Sequence, residues 1–170
     1  MLQLRHIKHL CGAGGIIVAL LCAPAAVVSI RGASAAEITQ AVTHGVWHGF
    51  FAHDVGFGIE AKTGDGGTVA LVVKGQAVSL MMTSSDWRMT VGKTLPIRMK
   101  IDGESVATEA LVVQGGMIAI KDVANDVVLR LARGEKVTFN IGSNGLVWNL
   151  SLNGFSETLT DTVKAYAGTA

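Results

Sequence analysis

Three of the five histidines lie close together, at His44, His48 and His53, with Asp54 beside the last. Imidazole nitrogens joined by a carboxylate suit zinc or copper, so these four side chains are the candidate metal ligands. In an extended strand His44 and His48 share a face, while His53 points to the other unless a bulge intervenes. The helical His-Glu-x-x-His arrangement is missing. Histidines in turns or in solvent are the ordinary case for so loose a grouping, so the reading favours no metal and no other cofactor.

Other reactive residue types are scattered. Ser84-Ser85-Asp86 supplies hydroxyls and a carboxylate, but no Gly-x-Ser-x-Gly elbow occurs, and Ser84 and Asp86 read better as turn residues that bond their own backbone. The glycine pairs of Gly56-Phe57-Gly58 and Gly64-Asp65-Gly66-Gly67 lack the helix and the Gly-Lys-Ser/Thr ending of a phosphate loop, so they are turns as well. Trp148 falls on the apolar side of a strand and belongs to the core. Trp87, in Ser85-Asp86-Trp87-Arg88 between two strands, is the tryptophan to place on a contact surface, although packing over one end of the fold suits it better. No catalytic residue is assigned, and the chain is not read as an enzyme.

These residues must be positioned by a domain that begins well inside the chain. Met1–Leu10 carries Arg5 and Lys8 and no acid; Cys11–Ile30 has no charge; Arg31-Gly32-Ala33-Ser34-Ala35-Ala36 supplies small residues before Glu37. A basic start, an apolar middle and an Ala-x-Ala site make a secretory signal peptide over residues 1–36, cut after Ala35 or Ala36. An uncut membrane anchor is the alternative, but Gly12, Gly14, Gly15 and Pro24 dilute the apolar stretch. Cys22 follows Leu21 rather than a small residue, which argues against lipidation. Cleavage implies a periplasmic or secreted protein with no stable membrane insertion. It also removes both cysteines, Cys11 and Cys22, so the domain at 37–170 holds no disulfide and must be stabilised by its core alone.

The chain has 170 residues, 16% of them charged, with 21 glycines and two prolines. That suits one domain with many tight turns. The formal charge of +1 conceals an asymmetry, because after residue 36 eleven basic residues face thirteen acids. Such a balance lacks the basic footprint of a nucleic-acid binder. Period-two alternation dominates: Leu95, Ile97, Met99 and Ile101 in one run, Val137, Phe139 and Ile141 in a second, Leu146, Trp148, Leu150 and Leu152 in a third. Shorter strands are predicted at Phe57–Ala61, Thr68–Val73, Ala77–Met82, Val106–Val113 and Met117–Ile120, separated by glycine-bearing turns. Asp122 is expected to cap a helix with Val123, Val127, Val128 and Leu131 on one face; Ser156 is expected to cap a second, with Leu159, Val163 and Tyr166 inward and Gly168 ending it. The fold class is therefore mostly β: an antiparallel β-sandwich or rolled sheet with two short helices.

Three segments carry a family resemblance: Val91-Gly92-Lys93-Thr94-Leu95-Pro96-Ile97-Arg98-Met99-Lys100-Ile101-Asp102-Gly103, then Leu129–Phe139 with its Arg133-Gly134 helix end, then Leu150–Leu159, with Leu152-Asn153-Gly154-Phe155 before the last helix. In this order they resemble the invasion-associated locus B type of small exported alphaproteobacterial proteins. The resemblance covers about the C-terminal half. It implies a periplasmic or envelope-associated β-rich domain, linked in some members to host-cell invasion, with no catalytic residues to carry over. Family members usually bear cysteines near the first strands and the C-terminus, and this chain has none there.

The combined expectation is a non-enzymatic β protein that binds a protein or envelope component, with its oligomeric state open. The export reading has a direct check. Intact-mass measurement of the protein recovered from cells should give a chain beginning at Ala36 or Glu37; a chain that retains Met1 would contradict it.

Overall fold

Alternation of apolar and polar side chains along an extended chain produces a strand with one greasy face, and the described residues hold ten strands, several of them of this kind. The computed structural model describes residues 38–52, 56–142 and 145–168. They form β1 (Ile38–His44), β2 (Trp47–Ala52), β3 (Gly56–Lys62), β4 (Thr68–Lys74), β5 (Ala77–Thr83), β6 (Thr94–Ile101), β7 (Glu104–Gln114), β8 (Met117–Ile120), helix α1 (Asn125–Arg133), β9 (Lys136–Ile141), β10 (Leu146–Ser151) and helix α2 (Phe155–Ala167). All pairings are antiparallel, in one sheet of order β1-β2-β3-β4-β5-β8-β7-β6-β9-β10.

The inward sets match the alternation. Ile97, Met99 and Ile101 of β6, Val137, Phe139 and Ile141 of β9, and Trp148 and Leu150 of β10 are all buried. They share one core with Ile59, Ala61, Val69, Leu71, Leu80 and Met82 from β3, β4 and β5. A sheet whose two halves bury the same face against each other has rolled over on itself, because that is how one apolar face leaves water. The mostly β, antiparallel rolled architecture is thus as expected.

Helix α2 packs on β1, β2 and β3 near the seam between the two sheet ends. Trp47 of β2 stacks edge-on against Phe155 at the start of α2, with centroids 4.9 Å apart, and its Nε1–H donates to the Ser151 carbonyl of β10 at 2.9 Å. From the other side, Trp148 Nε1–H donates to Asp65 Oδ2 at 2.7 Å in the β3–β4 turn. Each large ring thereby fills the core while its polar edge bridges the seam.

Several local expectations change. Strands β1 and β2 were not legible as alternation: Gly49 and the adjacent Phe50 and Phe51 break the period. Asp122 does not cap α1. It lies at φ 52, and the Val123 amide donates to the Val78 carbonyl at 2.9 Å, which holds the chain against β5 until the helix starts after Ala124 with no side-chain cap. Ser156 lies inside α2, whose N-cap is Gly154 at φ 85. The reason is a close backbone crossing, since a Cβ on Gly154 would run into the His44 carbonyl and one on Gly45 into the Asn153 carbonyl. The buried stripe of α2 is Phe155, Thr158 and Thr162, while Val163 is 40% exposed.

This crossing gives a stability prediction. Gly154→Ala adds a Cβ to a left-handed residue with no space for it and should cost about 2 kcal/mol or more. Gly64→Ala, where nothing lies within 4 Å, should change stability by less than about 0.5 kcal/mol. Thermal unfolding of both variants checks the contrast.

Candidate functional site

Of the four predicted metal ligands, the two that are described, His44 and His48, do not converge. The turn at Gly45-Val46 places His44 and His48 on different strands, paired with Trp47 and Thr43 respectively. Cross-strand partners share a face, so His44 lies on the inward side with Trp47 and His48 on the outward side with Thr43. The expected shared face is therefore corrected, because the chain reverses between the two residues. His44 Nε2 lies 3.1 Å from Asp161 Oδ2 on α2, and Lys164 Nζ donates to Asp161 Oδ1 at 2.9 Å. The lysine, then the histidine, hold the Asp161 carboxyl below its ordinary range. His48 Nδ1 lies 3.0 Å from Thr43 Oγ1. His53 and Asp54 lie outside the described residues. Among the described residues no three His, Cys, Asp or Glu side chains gather closely enough to hold a metal ion.

Trp87 is half-buried and stacked on Trp148, centroids 4.9 Å apart and planes 13° apart. Packing thus takes up most of its ring. Ser84 and Asp86 are held in the local turn, with the Asp86 amide donating to Ser84 Oγ at 3.3 Å. The glycines at 64–67 form the β3–β4 turn, closed by the Thr63 amide donating to the Gly67 carbonyl at 2.9 Å. There Asp65 accepts from the Thr63 hydroxyl and from Trp148, and those bonds, the Thr63 one foremost, lower its pKa.

One residue that sequence reasoning passed over is Glu60. Its β3 neighbours Ile59 and Ala61 point into the core, so Glu60 points outward, registered between His48 on β2 and Ala70 on β4. Nevertheless its Oε2 is sealed from solvent and finds no hydrogen-bond donor among the described residues. Burial pushes its carboxyl up from the usual 4.5 to about 7, against the opposing pull of the Lys62 charge. No signal in a strand with regular alternation marks such an outward glutamate as buried.

The concave space near α1 is small. A cavity of about 210 Å³ is lined by Leu80, Met99, Ile120 and Val127, with Thr108 and Lys121 among its polar groups. Sites for drug-sized ligands run to roughly 300–1,000 Å³. Broad surfaces are better placed to make contacts. The outward side of β6, β9 and β10 is one such surface. Arg98, Asn140 and Val147 form one cross-strand row; Lys100, Thr138 and Asn149 form the next; Lys136 and Ser151 follow. Arg98, Lys100, Lys136, Val147 and Asn149 are exposed. The described ion pairs include none of the three cations. The hydroxyl of Thr138 donates to Asn149 Oδ1 at 2.8 Å and holds the middle of the surface in place. On the β7 side the nearest acid on this face is Glu109, registered against Pro96.

No protein-family model, curated protein or solved structure matches this chain.

The buried carboxyl sets a pH dependence. Folded Glu60 keeps its proton between about pH 4.5 and 7 while the unfolded chain has released it, so its contribution is neutral below 4.5 and increasingly destabilising as pH rises through 7. Glu60→Gln removes the penalty. After discounting for partial solvent access, the variant should gain about 1–2 kcal/mol over the parent at about pH 8 and nothing at about pH 4. Unfolding midpoints measured across this range test it; parallel curves for the two proteins would show that the Glu60 carboxyl titrates as an ordinary one.

Proposed function

We propose that this chain is an exported, non-enzymatic protein of the bacterial envelope that binds an acidic envelope component through the outward face of β6, β9 and β10. The reading joins the basic–apolar–small pattern of residues 1–36 to the resemblance with invasion-associated locus B-type proteins. The observation that carries it is the grouping of Arg98, Lys100 and Lys136, exposed and without ion-pair partners among the described residues, on one sheet face. After residue 36 acids outnumber bases, so cations gathered on one side are a local feature, not a reflection of net charge. Like charges held together raise the local potential and steer an acidic partner. The face offers amides and hydroxyls between the cations but no aromatic ring for stacking bases, which argues against single-stranded nucleic acid.

The non-enzymatic part of the reading is supported by where the reactive groups lie. His44 bonds to Asp161 on the inward side, His48 stands outward, and Ser84 with Asp86 serves a turn. No helix among the described residues is long and apolar enough to cross a membrane.

The test is capture from a native envelope extract with the wild-type protein and with Arg98→Glu/Lys100→Glu. Wild type should retain its component at low salt and release it as ionic strength rises, because exposed charges are screened over about 8–10 Å near physiological salt. The double variant should retain at least tenfold less at an unchanged melting temperature. Equal retention by both would show that this face is not the binding surface.

A further inference from the structure

Any sheet that does not close leaves two edge strands, and folded proteins ordinarily blunt both. Here the two edges differ. Edge strand β1 carries an irregularity, with its register to β2 shifting between Gln40 and Thr43. Edge strand β10 is regular along its whole length. All six residues from Leu146 to Ser151 pair in unbroken register with β9. Its sequence, Leu-Val-Trp-Asn-Leu-Ser, holds no charge, no proline and no glycine. Lysine, proline and bulges are the usual means of blocking an edge, and β10 has none of them.

The free hydrogen-bonding groups of β10 can be located. Along a strand, the N–H and C=O of one residue point to the same side, and successive residues alternate. The Leu152 amide donates towards the β9 side, to the Glu135 carbonyl at 2.9 Å. The Ser151 carbonyl points the other way and accepts from Trp47 Nε1 at 2.9 Å. Val147 and Asn149 share the direction of Ser151. Their N–H and C=O groups therefore face the open edge, where β10 has no neighbouring strand among the described residues. Beside that edge Val147 is 45% exposed and Asn149 is exposed.

We infer that β10 pairs with β10 of a second copy of this chain, forming a two-fold symmetric dimer with one continuous antiparallel sheet. An isologous contact needs a surface that complements itself. An uncharged strand meets its own copy with no like charges opposed, whereas an acidic or basic peptide would find no counter-charge on β10. Ser151 is already engaged by Trp47, which sets the register. The two-fold axis lies beside Trp148, with Val147 of each copy opposite Asn149 of the other. Two such hydrogen-bonded pairs supply about four new backbone hydrogen bonds. The contact is short, so the dimer is weak and concentration-dependent. It would also set the cationic faces of the two copies side by side, but the inference rests on the edge geometry alone and stands or falls independently of the proposed function.

The experiment is sedimentation velocity on the protein as recovered from cells, over roughly 10 µM to 1 mM, with amide hydrogen exchange at both ends of the range. Wild type should shift from single to double mass, and the Val147 and Asn149 amides should become protected as it does. Val147→Lys places a charge on the edge and should weaken association at least tenfold at an unchanged melting temperature, with both amides exchanging fast throughout. Asn149→Lys reads the same question should the first variant fail to fold. A wild-type protein that keeps single mass to about 1 mM overturns the inference, and so does a dimer that survives either lysine with the two amides still unprotected.

Discussion

The fold depends on one apolar sheet face being closed upon itself. Most strands turn an apolar side inward, and the two halves of the sheet, with α2 over β1, β2 and β3, cover those sides for one another. With no cysteine in the described residues, nothing covalent holds the roll. The seam is carried instead by two tryptophans that point in opposite senses across it, Trp47 reaching Ser151 and Trp148 reaching Asp65. A buried indole N–H left unpaired costs about 1–3 kcal/mol, so these bonds fix which part of one half meets which part of the other. The turn at Gly45 and the turn at Gly154 then cross so tightly that neither tolerates a side chain.

That closure also disperses the residues that looked chemical. His44 is drawn to the inward side by its pairing with Trp47 and meets Asp161 on α2, while His48 is turned outward beside Glu60. Asp65, which reads as a loop residue, becomes the acceptor for a core tryptophan. Trp87 is recruited to cover Trp148. Much of the polar chemistry near the seam is thus spent on structure. On the outward side of β6, β9 and β10, Arg98, Lys100 and Lys136 are exposed and join none of the ion pairs among the described residues.

The two halves of the sheet also differ in how they treat their outward faces. On β3, Glu60 is outward yet has an oxygen shut off from water, and its carboxyl titrates near neutrality. On β6, Arg98 and Lys100 are outward and open. Strand alternation is the same in both places. What differs is how far each outward side chain is shut off from water.

By itself the sequence determined the strands with clean alternation. Ile97, Met99 and Ile101, like Val137, Phe139 and Ile141, were assignable to a core because a period of two leaves one choice of face. Antiparallel pairing and the mostly β class followed from the glycine-bearing turns between short runs. It did not determine β1 and β2, where Gly49 and the Phe50-Phe51 pair obscure the period, nor the starts of the two helices, which are set by the Val123–Val78 hydrogen bond and the Gly45–Gly154 crossing. Candidate sites were the least legible. Whether His44 joins His48, whether Trp87 is covered and whether Glu60 is sealed all depend on groups far away in the chain, and a local pattern holds no record of them. Local alternation selects a face; only the closing of the roll decides what that face will meet.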